Sequence, residues 1–392
     1  MSDDIVILGG ARTAIGTFGG ALAGTPATTL GATVAREAMK RAGVEGGQIG
    51  HVVFGNVINT EPRDMYLSRV AAMEAGVPDV VPAMNVNRLC GSGAQAVVSA
   101  IQSLSLDDCD FALAGGAESM SRAPYLVPDL RWGVKMGDAG ALDMMLGALN
   151  CPFGTGHMGI TAENVAAEHG VSRAAQDAFA LQSQARAAAA IAAGFFDAQI
   201  APIEVKRGRE MVQFAVDEHL KATTLEALSA LRPAFQKDGT VTAGNASGIN
   251  DGAAALVMAR AGAAEAAGLT PRARVLGYAH AGVRPEVMGI GPVPAVEALL
   301  ARTGLSVSDF DVIESNEAFA AQALAVNAGL GLDAPKVNPN GGAIALGHPV
   351  GATGAILVVK ALYELERTGG RRALITMCIG GGQGIALAIE RG

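Results

Sequence analysis

Four residues far apart in the chain carry side chains suited to moving an acyl group: Cys90, Asn316, His348 and Cys378. Cys90 follows Val86-Asn87-Arg88-Leu89 and precedes Gly91-Ser92-Gly93. Ala94, Val97, Val98, Ile101 and Leu104 then recur at helical spacing, so the thiol is expected in a strand–turn–helix beside a helix N-terminus. Unpaired N–H groups and the positive dipole end favour an anion there and are expected to lower a thiol pKa from about 8.5. The glycines beyond it would let a substrate approach the backbone. The bland alternative is a buried structural cysteine. His348 sits in Gly347-His-Pro-Val-Gly351, where Pro349 restricts the turn. An imidazole titrating near neutrality can hold or remove a thiol proton. Cys378 ends an apolar run and precedes Ile379 and Gly380-Gly381-Gly382. Asn316 directly follows a strand-like run; it reads as a helix N-cap, and its amide could also bind a water or an oxyanion. Cys90, Cys109, Cys151 and Cys378 show neither CxxC nor zinc spacing, which argues against a disulfide framework or a metal site.

An internal repeat gives a geometric reason to pair the thiol with the imidazole. Val52-Val-Phe-Gly-Asn56 resembles Val312-Ile-Glu-Ser-Asn316, and Val86-Asn87 with the Cys90 turn and helix resembles Val337-Asn338 with the His348 turn and helix. Phe111-Ala-Leu-Ala-Gly-Gly116 resembles the run from Leu374 to Gly381. Two such halves around a pseudo-twofold axis would bring Cys90 and His348 to matching strand-to-helix turns facing one site. Strand candidates are 5–8, 52–54, 83–86, 111–114, 253–258, 275–278, 312–314, 374–378 and 385–389. Helix candidates are 32–42, 69–75, 94–104 and 353–365. Their alternation predicts a mostly parallel, buried α/β sheet. The stretch from about 118 to 247 breaks the rhythm with Pro124, Pro128, Trp132 and a methionine group at 136–145, and holds one long helix over 172–193 stopped by Gly194.

The 392 residues suffice for two or three domains and a large core. Half are apolar and only 4% aromatic, while 52 are glycine, so the core must rely on close backbone approach. A net charge of −8 without a basic cluster points away from nucleic acid, and no apolar run approaches the roughly 18 residues of a membrane span. No signal segment is visible before the first strand, so a cytoplasmic location is expected.

Asn87-Arg-Leu-Cys90-Gly-Ser-Gly93, Asn316-Glu-Ala-Phe-Ala-Ala321, Asn340 through Gly351 and Cys378-Ile-Gly-Gly-Gly382 together resemble the thiolase family from end to end. Gly116-Ala-Glu-Ser-Met-Ser121, His157-Met-Gly159 and Thr242 through Gly248 extend the match. Gly55 through Tyr66 and Arg131-Trp-Gly133 are most similar to bacterial biosynthetic β-ketothiolases of polyhydroxyalkanoate-copolymer type. The resemblance implies an α/β thiolase fold, two pseudo-symmetric βαβαβαββ halves packed as αβαβα layers. Residues 1–118 plus 249–271 would form the first half, 119–248 an inserted loop domain, and 272–392 the second half.

It also implies a reaction. His348 would activate Cys90, Cys90 would take the acyl group of a thioester, and Cys378 would deprotonate a second acetyl-CoA to give 3-ketoacyl-CoA, or act as acid in thiolysis. One oxyanion hole would comprise His348 and a water on Asn316; the other, the N–H groups of Cys90 and Gly380. Coenzyme A would meet Ser247, with Leu149, Met158, Ala234, Phe235, Ala243, Met288, Ala318 and Phe319 along its tunnel. His157 would lie near the pantetheine and Lys221 near the nucleotide, where the family often has arginine, whose planar stacking a lysine lacks. The implied partners are acetyl-CoA, acyl-CoA of four to six carbons and 3-ketoacyl-CoA, in a homotetramer, with no cofactor or metal.

A decarboxylating synthase of the same fold would pair one cysteine with two histidines, or with a histidine and an asparagine; Cys378 and Asn316-Glu-Ala-Phe argue against it. A non-catalytic acyl-CoA-binding protein would not need the full set of four. Gly154-Thr-Gly-His-Met-Gly159 matches the dinucleotide pattern formally, with Asp177 near the acidic position, but no strand precedes it. His51, His169, His219 and His280 have no chemical neighbours in sequence and read as surface or packing residues.

Overall fold

The computed structural model describes residues 4–392. Ten strands form one sheet: β1 (Ile5–Arg12), β2 (Gly16–Thr17), β3 (His51–Gly55), β4 (Ala83–Val86), β5 (Phe111–Ser119), β6 (Asn250–Arg260), β7 (Ala273–Gly282), β8 (Val312–Ser315), β9 (Arg372–Ile379) and β10 (Gln383–Arg391). The order is β8-β9-β10-β7-β1-β6-β5-β3-β4, with β2 on β6. The principal helices are α1 (Ala27–Ala42), α2 (Leu67–Glu74), α3 (Ser92–Ser105), α4 (Met158–Glu168), α5 (Arg173–Ala192), α6 (Pro292–Thr303), α7 (Ala320–Leu330) and α8 (Thr353–Thr368).

The order is palindromic about the β1/β7 junction. In each half a parallel pair (β3/β5, β8/β9) is followed by two antiparallel strands, and among the described residues the sheet joins the halves through two pairs, Val6 with Arg274 and Ile7 with Ala273. The sheet is therefore more mixed than the alternation of elements suggested. β4 has a counterpart reduced to a single parallel bridge between Ile313 and Val337. One core wraps α3 and α8 with strands of both halves, a second lies under α1 and α2, and a third under α6. These make five layers, α–β–α–β–α, with α3 and α8 in the middle.

The faces of the strands fix the true repeat. Val52 and Leu113 point to the outer core of the first half, Ile313 and Leu374 to that of the second. Val52 thus corresponds to Ile313, one residue out of step with the match to Val312, and a one-residue slip sends every side chain to the wrong face. Ser92 and Thr353, which begin α3 and α8, share this register, so Cys90 corresponds to Gly351 rather than to His348.

β5 runs on to Ser119, past the apolar run, because its glycines occupy space no side chain fits. A Cβ on Gly115 would stand 2.4 Å from the Ala254 carbonyl oxygen, and one on Gly116 2.2 Å from that of Gly351. In the 118–247 stretch, α5 sits where the long helix was expected, capped by Ser172, whose hydroxyl accepts from Ala175 N–H. Trp132 and Met136 there are 90% and 94% exposed.

Candidate active site

The turn carrying Cys90 is built by short polar links. Asn87 Oδ1 accepts from Leu89 N–H at 3.0 Å, and Ser92 Oγ accepts from Arg88 N–H at 2.9 Å while donating to the Leu89 carbonyl at 2.6 Å. Leu89 is held at φ +46°, a conformation costly for a branched side chain. Gly91 caps α3, so Cys90 lies just outside its first turn. The glycines serve packing rather than substrate: a Cβ on Gly91 would strike Ile379, and one on Gly93 would lie 2.7 Å from Ala355 N. Burial raises the Cys90 pKa, against hydrogen bonds to the sulfur from the N–H groups of Gly380 and of Cys90 itself. Desolvation therefore opposes the helix end at this thiol.

His348 is fixed on three sides. Its N–H donates to Asn250 Oδ1 at 2.9 Å, its Nδ1 lies 2.6 Å from Thr353 Oγ1, and its Nε2 lies 3.5 Å from Asn316 Nδ2. Thr353 Oγ1 gives its one proton to the Pro349 carbonyl at 2.9 Å, so it can only accept from the ring. Nδ1 therefore carries the hydrogen and Nε2 is left with a lone pair. Burial drives the His348 pKa down to about 4, which keeps the ring neutral near pH 7. Gly347, at φ +107°, is required because a Cβ there would stand 2.5 Å from the Asn250 side chain.

Cys378 is 1% exposed, and burial followed by the neighbouring Cys90 raises its pKa strongly. All four cysteines are free. Asn316 is not an N-cap, since Phe319 caps α7 without a side-chain bond. Its amide backs His348 instead, and its buried Oδ1 has no protein partner. Of the three glycines, Gly380 faces the cavity; Gly381 and Gly382 are needed for φ of +84° and +89°, and a Cβ on Gly382 would lie 2.3 Å from the Val283 carbonyl oxygen.

These groups open into one cavity of ≈ 530 Å³, lined by Cys90, His348, Cys378 and Gly380. Its walls include every residue expected along the coenzyme A tunnel: Ser247, Leu149, Met158, Ala234, Phe235, Ala243, Met288, Ala318 and Phe319, with His157 and Lys221. His157 Nδ1 accepts from Gly159 N–H at 3.0 Å and caps α4, leaving Nε2–H as a donor; the ring stacks on Phe235 with centroids 4.6 Å apart. Ser247 is tied to the Asn316 loop, donating its N–H to the Ala318 carbonyl at 3.0 Å.

Sequence reasoning missed Thr353, Asn250 and His219. His219 was set aside as packing, yet it lines the cavity, 7% exposed, with its pKa lowered to about 4 by burial and by Lys221. Asp177 is occupied by Arg173 at 2.7 Å and by Asn245 at 2.9 Å, so it is no ribose ligand. A second cavity of ≈ 560 Å³ shares Leu89 and Ala148 with the first and is lined by Tyr125, Leu126 and Met144. No group of three His, Cys, Asp or Glu able to hold a metal ion occurs among the described residues, and no described helix is long and apolar enough to cross a membrane.

Comparison with known proteins agrees with this geometry. Residues 5–262 match the family "Thiolase, N-terminal domain" and 269–391 match "Thiolase, C-terminal domain". Beta-ketothiolase BktB of Cupriavidus necator is 61% identical over 393 residues, covering 100% of both chains. The acetyl-CoA acetyltransferase of Escherichia coli is 50% identical over 389 residues, 98% of each. The crystal structure of human mitochondrial 3-ketoacyl-CoA thiolase in complex with CoA superposes with a TM-score of 0.96 at 44% identity, covering 100% of this chain and 98% of that one. The chain belongs to the thiolase family, enzymes of reversible Claisen condensation and thiolysis of coenzyme A thioesters.

Proposed function

We propose that Cys90 carries the acyl group, with His348 as its base and Cys378 as the acid/base at the substrate α-carbon. The observation that carries this is the convergence of both thiols, the imidazole and the Gly380 N–H on one cavity wall. His348 Nε2 takes and holds the Cys90 proton as sulfur attacks the thioester carbonyl, and coenzyme A leaves as the thiol with the proton of Cys378. The Cys378 thiolate left by that transfer removes a proton from the methyl of a second acetyl-CoA; the carbanion displaces Cys90 sulfur to form 3-ketoacyl-CoA, and the released Cys90 thiolate recovers its proton from His348. Each step places negative charge on a thioester oxygen, and fixed donors stabilise it. The N–H groups of Cys90 and Gly380, already directed at the sulfur, suit the acyl-enzyme oxygen. His348, protonated at Nε2 in the acyl-enzyme, with an Asn316-held water suits the other thioester.

The exchange involves no net electron transfer, so it needs no redox cofactor, and the donors above do the work of a metal. The cavity beyond Leu89 and Ala148 supports chains of four to six carbons alongside acetyl. Exposed Tyr125, Leu130, Trp132 and Met136 support a homotetramer through this segment, in a cytoplasmic enzyme.

Brief exposure to acetyl-CoA, an acid quench and peptide mass mapping test the assignment. A single acetyl group on Cys90 is expected, absent in Cys90→Ser. Cys378→Ser should still acetylate but lose condensation. Acetyl on Cys378 in the native enzyme would reverse the two roles.

A further inference from the structure

Glu118, at the end of β5, is a fully buried carboxylate that the reaction above does not use. Asn56 Nδ2 and Ile58 N–H each donate to its Oε1 at 3.1 Å. Val57 N–H donates to Oε2 at 3.0 Å and Gly351 N–H to Oε2 at 2.9 Å. Every partner is an N–H and none is a cation, so a proton on either oxygen would have no acceptor. Burial pushes this acid's pKa up to about 8 against the pull of the three backbone N–H groups, but four N–H donors with no acceptor for a proton hold the carboxylate form. The charge also works against Cys90, whose pKa it raises. A buried anion that hinders ionisation of the nucleophile must serve something other than thiolate stabilisation.

Gly351 shows what that is. It follows His348 by three residues and sits in a slot with no slack. A Cβ on Gly351 would lie 2.4 Å from Glu118 Oε2 and 3.0 Å from Asn56 Cα, while Cβ atoms on Gly55 and Gly116 would come within 2.7 and 2.2 Å of the Gly351 carbonyl oxygen. The far end of the His348 turn is thus pressed onto β3 and β5 and bolted there by one carboxylate. Its near end is held by Asn250.

We infer that Glu118 is a positioning residue for acyl transfer, a bridge that fixes the His348 turn through Gly351 to the Asn56–Ile58 loop. The inference rests on the reading that His348 activates Cys90. Glu118 is not on the cavity wall, so substrate contacts such as Ser247, Phe235 and Met288 are left alone when it changes.

Glu118→Gln is the test. The variant keeps the shape but turns an NH2 toward an N–H on one side, loosening the turn. Expected is a fall in kcat for acetoacetyl-CoA thiolysis of about 10- to 100-fold, with KM for both substrates within about threefold. Cys90 acetylation should slow by the same factor. Glu118→Asp, which restores an acceptor-only group on a shorter arm, should recover part of the lost kcat. If Gln does not yield folded protein, Asp is read by the same kcat and KM comparison and must show lowered kcat alone. A folded Glu118→Gln with native kcat but a lower Tm would make the residue purely structural and overturn the inference, as would a change confined to KM. Native enzyme that never acetylates Cys90 would sink the underlying reading instead; native acetylation that Glu118→Gln leaves unchanged would sink only the role of Glu118.

Discussion

At the scale of single residues, the catalytic base depends on a hydroxyl. A neutral histidine can act on Cys90 only if the nitrogen facing the site lacks a hydrogen, and Thr353 enforces this by accepting from Nδ1 while spending its own proton on Pro349. Thr353→Val should leave a buried Nδ1–H without an acceptor, allow the other tautomer, and lower kcat about 10- to 100-fold at nearly constant KM. Thr353→Ser should restore most of it. Steady-state thiolysis of acetoacetyl-CoA checks both; a valine variant with native kcat would show that the tautomer is set elsewhere. Cys90, His348 and Cys378 were legible in sequence because each stands in a glycine-rich turn after or within an apolar run. Thr353 was not, because a threonine in the first turn of a helix has an ordinary explanation and its partner is chosen by the fold of the turn. For Cys90 a related limit holds: a helix N-terminus is visible in sequence, but the desolvation opposing it is not.

At the scale of elements, the chemistry is assembled where α3 and α8 meet. Each helix has glycine at its second position, Gly93 and Gly354, and these allow contact at backbone distance. A Cβ on Gly354 would stand 2.2 Å from Ala94 N and one on Gly93 2.7 Å from Ala355 N. The two turns that bear Cys90 and His348 lead into these helix ends, so their separation is set by the crossing. Gly354→Ala must push the helices apart, because backbone cannot yield as a flexible side chain would. It should cost about 1–3 kcal/mol, shown by a lower urea midpoint. It should also depress kcat, through a longer reach between His348 and Cys90. Unchanged stability would mean that the crossing has slack. The strands of the two halves apart from β2, and helices α1, α2, α3 and α8, were readable from apolar periodicity, whereas α6 was not. The existence of the repeat was readable too. Its register was not. Val52 resembles Val312 as a letter, but which of two neighbouring residues faces α1 or α6 is settled by packing, and only packing distinguishes Val312 from Ile313.

At the scale of the whole molecule, the core is closed so tightly that burial opposes the charged forms of its ionisable groups, and this links catalysis to stability. His348 and His219 both have pKa values driven down to about 4, against about 6.5 in an unfolded chain. A depressed histidine contributes stability that is fully present above about pH 6.5 and is lost as pH falls toward 4, where the unfolded chain takes up a proton that the folded one refuses. Glu118, Glu314, Glu317 and Asp251 are shifted upward and give the opposite trend on acidification, so the total curve mixes both signs. A comparison isolates the histidine. His219→Phe replaces a side chain that the reading above gives no part in the chemistry and leaves the carboxylates in place. Between pH 7 and pH 4.5 the stability of the native chain relative to this variant should fall by about 2–3 kcal/mol, read from paired urea unfolding curves. A difference independent of pH would mean that His219 is protonated within the fold, and that the cavity wall beside Lys221 is wetter than its 7% exposure indicates. The same exclusion of water holds His348 neutral in the cavity it shares with His219, so the acid sensitivity of the fold and the availability of its base have one cause.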